Sequence, residues 1–579
     1  MAWTNEELAS RFAEIATLLK LTGADRFRVR AYERAASAIG AAPVDLGTLS
    51  PEEIAELKGI GESTARKIAE YRETGTIAML EELRARVAPG ATELLKVPGL
   101  GPKTAILLHE RLGISGVDQL REALEAGRLD GLPGLGPKTQ QNLREALDRL
   151  GAKEDGRVPA ADALSLAEEL RARMAAVPGV VDAAYAGSLR RMRETVGDID
   201  VLVASDDPAP VMAALRDSDL VVKVLAAGDK KTSVLTVRGL QADLRVVAPE
   251  EWGAALVYFT GSKAHNVRIR ERAVRRGLTL NEYGVFDKET GERLAGRTEA
   301  EVYAALGLAE IPPPLREDTG EVEAAAEGRL PQVVTLADLR GDLHGHTDWS
   351  GDGKAGLPEM LEAARARGLR WWAVTDHAED LTMNGLTRER MLAQRAEIER
   401  LREQLPDLEI LHGAELNIGL DGSVDYDPDF LAGYDFTVAS VHTLFRRSRE
   451  EQTRRIITAM HNPHVTAIGH PTGRKIGIRP GYDVDVDALI AAAVETGTAL
   501  EINASPRRLD LSAEWVRRAV EAGATLTISS DAHSVGDLDN LRYGVLTAQR
   551  GRATPDSILN CRDVEGLRAF VAAKRERWS

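Results

Sequence analysis

The sequence predicts a multidomain protein: an α-helical N-terminal region with helix-hairpin-helix repeats, a central α/β domain with a small α/β appendage, and a C-terminal metal-binding β/α barrel. Three observations carry this. A GxG turn followed by a helical run recurs at 57–68, 97–108 and 132–143. Aspartates cluster on strand-like runs between 187 and 247, and most histidines lie beyond residue 340, at the ends of strand-like runs that alternate with helical ones. At 579 residues the chain is too long for one core.

The repeats come first. LKGIGESTARKI, VPGLGPKTAILL and LPGLGPKTQQNL each place two glycines, Gly59 and Gly61, Gly99 and Gly101, Gly134 and Gly136, ahead of a helix. Such a turn leaves unpaired N–H groups and the positive end of the helix dipole facing outward. Both suit a phosphate, and Lys103 and Lys138 add charge. This binds a nucleic-acid backbone without reading its sequence. The net charge of −16 opposes DNA binding through a global field, yet the first 150 residues are nearly neutral, with 20 basic and 22 acidic side chains. Binding must therefore rest on local clusters and backbone amides.

The central domain announces itself through Gly187-Ser188, then Gly197-Asp198-Ile199-Asp200-Val201, then Asp243 in QADLRVV. Carboxylates at i and i+2 on a strand face the same way, and a third from a neighbouring strand completes a cluster suited to a pair of Mg²⁺ or Mn²⁺ ions. Such ions lower the pKa of an attacking hydroxyl and neutralise a leaving pyrophosphate. Gly187 permits close backbone approach to a phosphate, Ser188 donates to it, and Arg190 and Arg191 are candidate clamps.

Between Ile311 and Gln332 proline and acids dominate with no apolar period, and the segment reads as a linker. Beyond it LRGDLHGHT, RWWAVTDH, LEILHGAEL, FTVASVH, VTAIGHP, ALEINAS and TLTISSDAH read as seven strands whose polar ends converge on one face. His344 and His346 lie at i and i+2. His377, Glu415, His442, His470, Asp531 and His533 close around them as a metal site. Imidazoles mixed with carboxylates suit Mn²⁺, Zn²⁺ or Fe²⁺, and several ions together activate water for phosphoester hydrolysis. His412, His461 and His464 fall off the pattern, and Asp376 reads as a residue that orients a ligand. A single cysteine, Cys561, excludes a disulfide framework. No basic apolar leader or run of about 18 apolar residues appears, so the expectation is a soluble cytoplasmic protein, nucleoid-associated when bound to DNA.

From Tyr258 to Asn266, YFTGSKAHN leads through Arg268 and Arg270 into RRGLTLNEYGVF, and here the chain resembles the family X DNA polymerases. The resemblance implies a nucleotidyltransferase palm and a thumb, with Asp198, Asp200 and Asp243 holding the catalytic metals. It implies that Gly187, Ser188 and Arg191 bind the triphosphate. Tyr258, Phe259 and Gly261 would lie along the incoming sugar, Asn266 at the minor-groove edge of the new base, and Arg270 at the template. Family members with an N-terminal lyase domain carry a Schiff-base lysine in the helix after the first hairpin, and Lys67 matches it, with RFRVRAYERAA supplying nearby positive charge. The C-terminal half resembles the polymerase and histidinol phosphatase (PHP) domain, a distorted (β/α)7 barrel with up to three ions, through its HxH, TDH, GxE, SxH, GHP and DxH elements. Asp352 is the implied further ligand, although SGDG carries one residue more than the family's usual SDG.

The expected organisation is a lyase-like helical domain at 1–88, a fingers-like domain at 89–150, a palm at 151–247, a thumb at 248–312, a linker at 313–335 and the PHP domain at 336–579. The expected activity is gap-filling DNA synthesis in base excision or end repair, on gapped or nicked DNA with dNTP, together with phosphodiester hydrolysis in the barrel, either 3′ to 5′ at the primer terminus or as abasic-site incision or phosphatase action. No membrane partner is expected, and protein partners are not legible. Two other classes compete: a nucleotidyltransferase acting on something other than DNA, and a DNA-bound nuclease with a non-catalytic palm.

Overall fold

The computed structural model describes residues 5–86 apart from 23, 41, 43–45 and 58–59, part of 94–143, and 157–577 apart from 382–383. It divides into two units. One comprises Met1–Val158, Asp162–Arg191 and Thr195–Gly328; the other comprises Pro159–Ala161, Met192–Glu194 and Arg329–Ser579. Among the described residues no helix is long and apolar enough to cross a membrane.

The N-terminal region is helical because its apolar residues recur at helical spacing. Leu8, Phe12, Ile15 and Leu19 on the helix Asn5–Leu21 are buried with Ile39, Ile68 and Leu80 from later helices. Local signals set the boundaries: Ser50 and Glu53 form a reciprocal cap ahead of Pro51–Glu56, and Gly75 closes Glu62–Thr74 in a left-handed conformation. The same core continues through Leu94, Leu108, Leu124 and Leu143. The segments expected as separate domains at 1–88 and 89–150 therefore share one hydrophobic core.

The central sheet runs in the order Asp182–Tyr185, Asp198–Ala204, Gln241–Val247, Lys231–Thr236, Val221–Ala227. Only Asp198–Ala204 and Gln241–Val247 pair in parallel, and their register sets Asp200 opposite Asp243. The helix Trp252–Thr260 buries Ala255 and Leu256 against Ala186 and Leu202 of this layer. Beyond it the helix Lys263–Arg275 leads into an antiparallel sheet of Leu278–Asn281, Gly284–Asp287 and Arg293–Ala295.

The linker expectation for 313–335 is corrected at its N-terminal end. Residues 313–326 contain a 3₁₀ turn at Pro313–Leu315 and a helix at Glu321–Ala326, and the first unit extends to Gly328. Arg316 and Glu321 are fully buried: Arg316 pairs with Glu299 at 2.6 Å, and Glu321 with His265 at 2.7 Å. Composition suggested solvated charge, but these charges have partners that allow burial.

The C-terminal unit is a seven-stranded parallel barrel, in sequence order Gly341–Asp342, Trp371–Val374, Glu409–Asn417, Phe436–Ser440, Ala467–Ile468, Ala499–Asn503 and Leu526–Ser529. A bridge between Gly345 and Ala532 brings the first and last strand ends together. Strand alternation is visible at Trp371–Val374: Trp371 and Ala373 join the cluster with Leu411, Phe436 and Ala499, whereas Trp372 and Val374 join the other cluster with the surrounding helices. A Cβ on Gly341 would collide with the Trp371 ring, so this strand needs glycine beside its neighbour's tryptophan. The helix Val564–Arg577 adds Leu567 and Val571 to the Trp371 cluster, and Lys574 donates to Thr498 Oγ1 at 2.8 Å.

Candidate catalytic and metal centres

The parallel register puts Asp198, Asp200 and Asp243 on two adjacent inner strands of the palm sheet. Asp200 is pushed up to about 6 by burial and by the charges of Asp198 and Asp243, and Asp198 is raised by burial and by Asp243. Asp243 moves the other way. Burial would raise it, but Lys231 at 2.7 Å and Gln241 at 2.9 Å hold it below the ordinary carboxylate range. Crowded carboxylates that raise one another's pKa are short of positive charge, and all-oxygen donors fit a hard divalent cation. Lys231, one strand over, is a participant that the sequence reading missed.

Gly187, at φ +64°, opens the short helix Gly187–Arg190. Its need for glycine is closer to hand than a phosphate: a Cβ there would collide with the Asp200 carboxylate. Ser188 follows on that turn. Arg190 is committed elsewhere, bidentate to Glu299 at 2.7 and 2.8 Å and donating to Thr260 at 2.8 Å. Arg191 donates to Glu317 at 3.1 Å and to the Thr260 carbonyl. Two guanidiniums and the burial-opposed charge of Glu299 thus tie this loop to the thumb, and Glu299 is held down at about 2.

Tyr258 and Phe259 end one helix and meet edge to face, 4.8 Å between centroids. Arg270 lies 4.9 Å over Tyr258, and Arg245 lies 4.5 Å over Phe259. Gly261 makes the turn at φ +70°, and Ser262 caps the helix Lys263–Arg275 that carries Asn266 and Arg270. Asn266 donates to the Tyr258 carbonyl at 2.6 Å and keeps a buried Oδ1 without a hydrogen-bond partner. Tyr258, Asn266 and Arg270 line one small cavity with Val257 and Asn281.

In the N-terminal region Gly61 precedes the helix Glu62–Thr74, and Lys67 on that helix donates to Ser63 Oγ at 3.0 Å and lies 5.8 Å from the Tyr32 ring. Gly136 is exposed. Gly59, Gly99, Gly101, Gly134 and Lys138 fall outside the described residues, and Lys103 is described only as part of the helix Pro102–Leu112.

The barrel mouth gathers every expected histidine and acid. His346, Asp352, His377 and His533 form one group, His344, His346 and Asp531 a second, and His377, Glu415 and His442 a third, with donor atoms in each within 4.8 Å of one another. His470 joins through Glu415, 3.1 Å from its Nε2. Despite the extra residue in SGDG, Asp352 Oδ2 lies 3.1 Å from His377 and 3.4 Å from His533. His412 lies apart, against Tyr434 and Arg395.

Residues behind the cluster fix its rings. His344 donates from Nδ1 to Glu501 at 2.7 Å, His442 from Nδ1 to Asn417 at 2.8 Å, and His533 from Nδ1 to the Asp531 carbonyl at 2.8 Å. Each leaves Nε2 facing inward, the arrangement that orients a metal-ligating imidazole. Glu501 also accepts from the His470 N–H at 2.6 Å, and Asn503 donates to Asp531 at 3.0 Å. Asp376 accepts from Thr347, Ser350 and Gln394 behind His377. Sequence reasoning misses Glu501 and Asn503; ALEINAS reads as a strand, and its period-two polar residues are the available signal.

The electrostatics are those of a cation site. Burial alone would lower His344, yet Glu501, Glu415 and Asp531 drive it well above its usual range; burial and the neighbouring His377 depress His346 to about 3. Glu415 sits far below the carboxylate range, with His442, His344 and His377 outweighing its burial. Neither ring nitrogen of His346, nor His344 Nε2, makes a hydrogen bond although all are buried. Buried donors left unsatisfied around carboxylates fit bound divalent metal.

Both centres gather donor sets that suit divalent cations, the arrangement that metal-assisted phosphoryl transfer requires. Models of known families match in pieces: a helix-hairpin-helix domain at 3–77, a SAM-like helix-hairpin-helix tandem at 91–149, a DNA polymerase beta thumb at 255–317 and a PHP domain at 342–505. The DNA polymerase/3′-5′ exonuclease PolX of Bacillus subtilis is 40% identical over 560 residues, 96% of this chain and 97% of that one. A probable phosphatase of a Thermoanaerobacter species is 30% identical over 246 residues, 41% of this chain and 96% of its own; one of Photobacterium profundum is 31% identical over 211 residues, 34% and 80%. The chain belongs to the family X DNA polymerases that carry a C-terminal PHP domain.

Proposed function

We propose that this protein is a template-directed DNA polymerase that fills short gaps during base excision or end repair, and that its PHP unit trims 3′ termini. The observation that carries the reading is the register of Asp198–Ala204 on Gln241–Val247, which faces Asp200 with Asp243 beside the Gly187–Ser188 turn. The name of the Bacillus relative couples the same two activities. Its substrates are gapped or nicked DNA and dNTP, and its compartment is the cytoplasm.

Asp198, Asp200 and Asp243 hold Mg²⁺ or Mn²⁺ in this reading, and the barrel ligands His344, His346, Asp352, His377, Glu415, His442, His470, Asp531 and His533 hold up to three Mn²⁺, Zn²⁺ or Fe²⁺ ions. Bound there, divalent ions would lower the pKa of a 3′-hydroxyl in the first site and of a water in the second. The chain's own residues do the positioning. Ser188 and the backbone N–H groups of its turn bind phosphate oxygens. Arg191 exchanges Glu317 for the triphosphate, the stronger anion. Tyr258 and Phe259 form a flat wall for the sugar, and Asn266 exchanges the Tyr258 carbonyl for a minor-groove acceptor while Arg270 reaches the template. Gly61, the paired glycines of the later hairpins, Lys103 and Lys138 hold the DNA backbone. Lys67, with Ser63 beside it, is a lyase nucleophile; borohydride trapping on abasic-site DNA that survives Lys67→Ala would remove that role.

A gel assay on gapped DNA with Mg²⁺ and with Mn²⁺ tests the whole. Primer extension must vanish in Asp198→Ala plus Asp200→Ala. Extension that persists would turn the palm into a binding module, and extension of RNA in preference to gapped DNA would move the protein to another nucleotidyltransferase class.

A further inference from the structure

The rim of the barrel is electrically lopsided. The loops after the first three strands carry Asp348, Glu379, Asp380, Asp421 and Asp427. Those after Phe436–Ser440, Ala467–Ile468 and Ala499–Asn503 carry Arg446 and Arg447, Lys475 and Arg479, and Arg507 and Arg508; of their acids, Asp485 pairs with Arg449 at 3.3 Å, Asp510 is buried and accepts from Thr472 at 2.9 Å, and Asp483 stays exposed. These three strands are consecutive neighbours, so their loops form one continuous arc. The arc starts at the metal ligands, where Arg508 Nε lies 3.5 Å from Asp531 Oδ2, and ends at Arg446 and Arg447, both exposed.

The arc is also interlocked. Arg479 of the middle loop lies 4.4 Å over the Phe445 ring of the first, and Phe445 stacks on Tyr482 at 6.0 Å. The Ile476 N–H donates to the Arg507 carbonyl at 2.7 Å, fastening the middle loop to the third. Two apolar side chains stand out at the loop tips, Ile478 at 69% exposure and Leu444 at 47%. Burial holds the Lys475 amine below its usual range; Arg508 and Arg479 add to this, and Asp531 opposes it. Crowded cations on preorganised loops, with exposed apolar tips between them, are the elements of an unpaired nucleic-acid strand seat: backbone phosphates meet the cations and base faces meet the apolar tips. A duplex offers no free base face to such tips.

We infer that this arc is the entry track of an unpaired DNA strand end, with Arg508 and Lys475 holding the phosphates nearest the metal ligands, Arg446 and Arg447 those further along the strand, and Ile478 and Leu444 supporting the bases. The inference rests on the hydrolytic reading of the PHP unit for its use, and on the loops alone for its location. It makes the substrate a polynucleotide end in preference to a small phosphate ester. It also gives the strand a direction of approach, from the side of the strands Phe436–Ser440 to Ala499–Asn503 and away from the acidic loops.

Two measurements on the full chain test it. In the first, Arg446→Ala plus Arg447→Ala is assayed with Mn²⁺ on single-stranded oligothymidylate and on bis(p-nitrophenyl) phosphate. The ratio of kcat/KM for the oligonucleotide to that for the small diester should fall roughly tenfold through KM, from the loss of two exposed phosphate contacts. An unchanged ratio overturns the track. In the second, an oligothymidylate ending in 5-iododeoxyuridine is photocrosslinked to the His344→Ala plus His346→Ala protein and the adducts are mapped. Adducts within 443–448 or 474–479 support the track; adducts confined to residues 1–328 overturn it. If adducts form there while the wild-type protein hydrolyses neither substrate, the hydrolytic reading fails and the track stands.

Discussion

The palm and the barrel solve one problem, the gathering of divalent metal, in opposite ways. The palm uses two strands of a single sheet and three carboxylates, leaves Asp198 exposed and occupies Asp243 with Lys231. The barrel draws a ligand or a supporting residue from every strand end, buries His344, His346 and Glu415 almost completely, and holds its rings from behind with Glu501 and Asn417 and its Asp531 carboxylate with Asn503. A one-sided site must be completed by what it binds, so metal and nucleotide are expected to arrive together. A surrounded site completes itself and is expected to hold its metal at rest.

Crossing the two sites should separate the two activities most clearly. Asp198→Ala plus Asp200→Ala should cut primer extension by at least about a thousandfold and leave Mn²⁺-dependent 3′ trimming intact. His344→Ala plus His346→Ala should do the reverse, and loss of both activities in either variant would mean that the centres are not independent.

Next in size is the ion-pair strap of the palm unit. Glu299→Gln leaves the fully buried Arg316 without its charge partner and should destabilise that unit by about 3 kcal/mol in denaturant unfolding. Because Glu299 titrates near 2 when folded and near 4.5 when unfolded, its contribution is complete above that upper value and is lost as pH falls through the window between them. The gap between wild type and variant should therefore close on acidification. A gap that stays constant from neutral pH down to about 2 would show that packing, not charge, holds the strap.

Glu501→Gln probes the barrel's support. It should weaken metal binding there by about 10- to 100-fold, read by competition with a chelating dye, without changing the palm. The smallest effect belongs to Lys231. Its pairing with Asp243 is partly exposed, so Lys231→Ala should lower the Mn²⁺ midpoint of the palm by only about threefold in a His344→Ala plus His346→Ala background. A rise in that midpoint would mean that Lys231 assists metal capture instead of competing with it.

Much of the fold and of both centres is legible in the sequence because it is local. Asp198 and Asp200, and His344 and His346, share a face by strand alternation alone, and the barrel's seven strands announce themselves through apolar runs that end in metal-binding residue types. What escapes notice depends on partners distant in the sequence. Lys231 acts across a strand pairing that no spacing reveals. Glu501 and Asn503 sit inside an apolar strand, where they look like ordinary polar positions. The 313–328 segment looks like a linker because composition cannot tell a solvated charge from one whose partner, Glu299 or His265, waits on another element. Arg190 looks like a clamp for the same reason.

Gly187 joins the two halves of the palm site. With no Cβ between them, the turn that would meet the nucleotide and the Asp200 carboxylate that would meet the metal lie in direct contact. A side chain at position 187 would have to push the Asp200 carboxylate aside, so Gly187→Ala is expected to disturb the turn and the carboxylate cluster together.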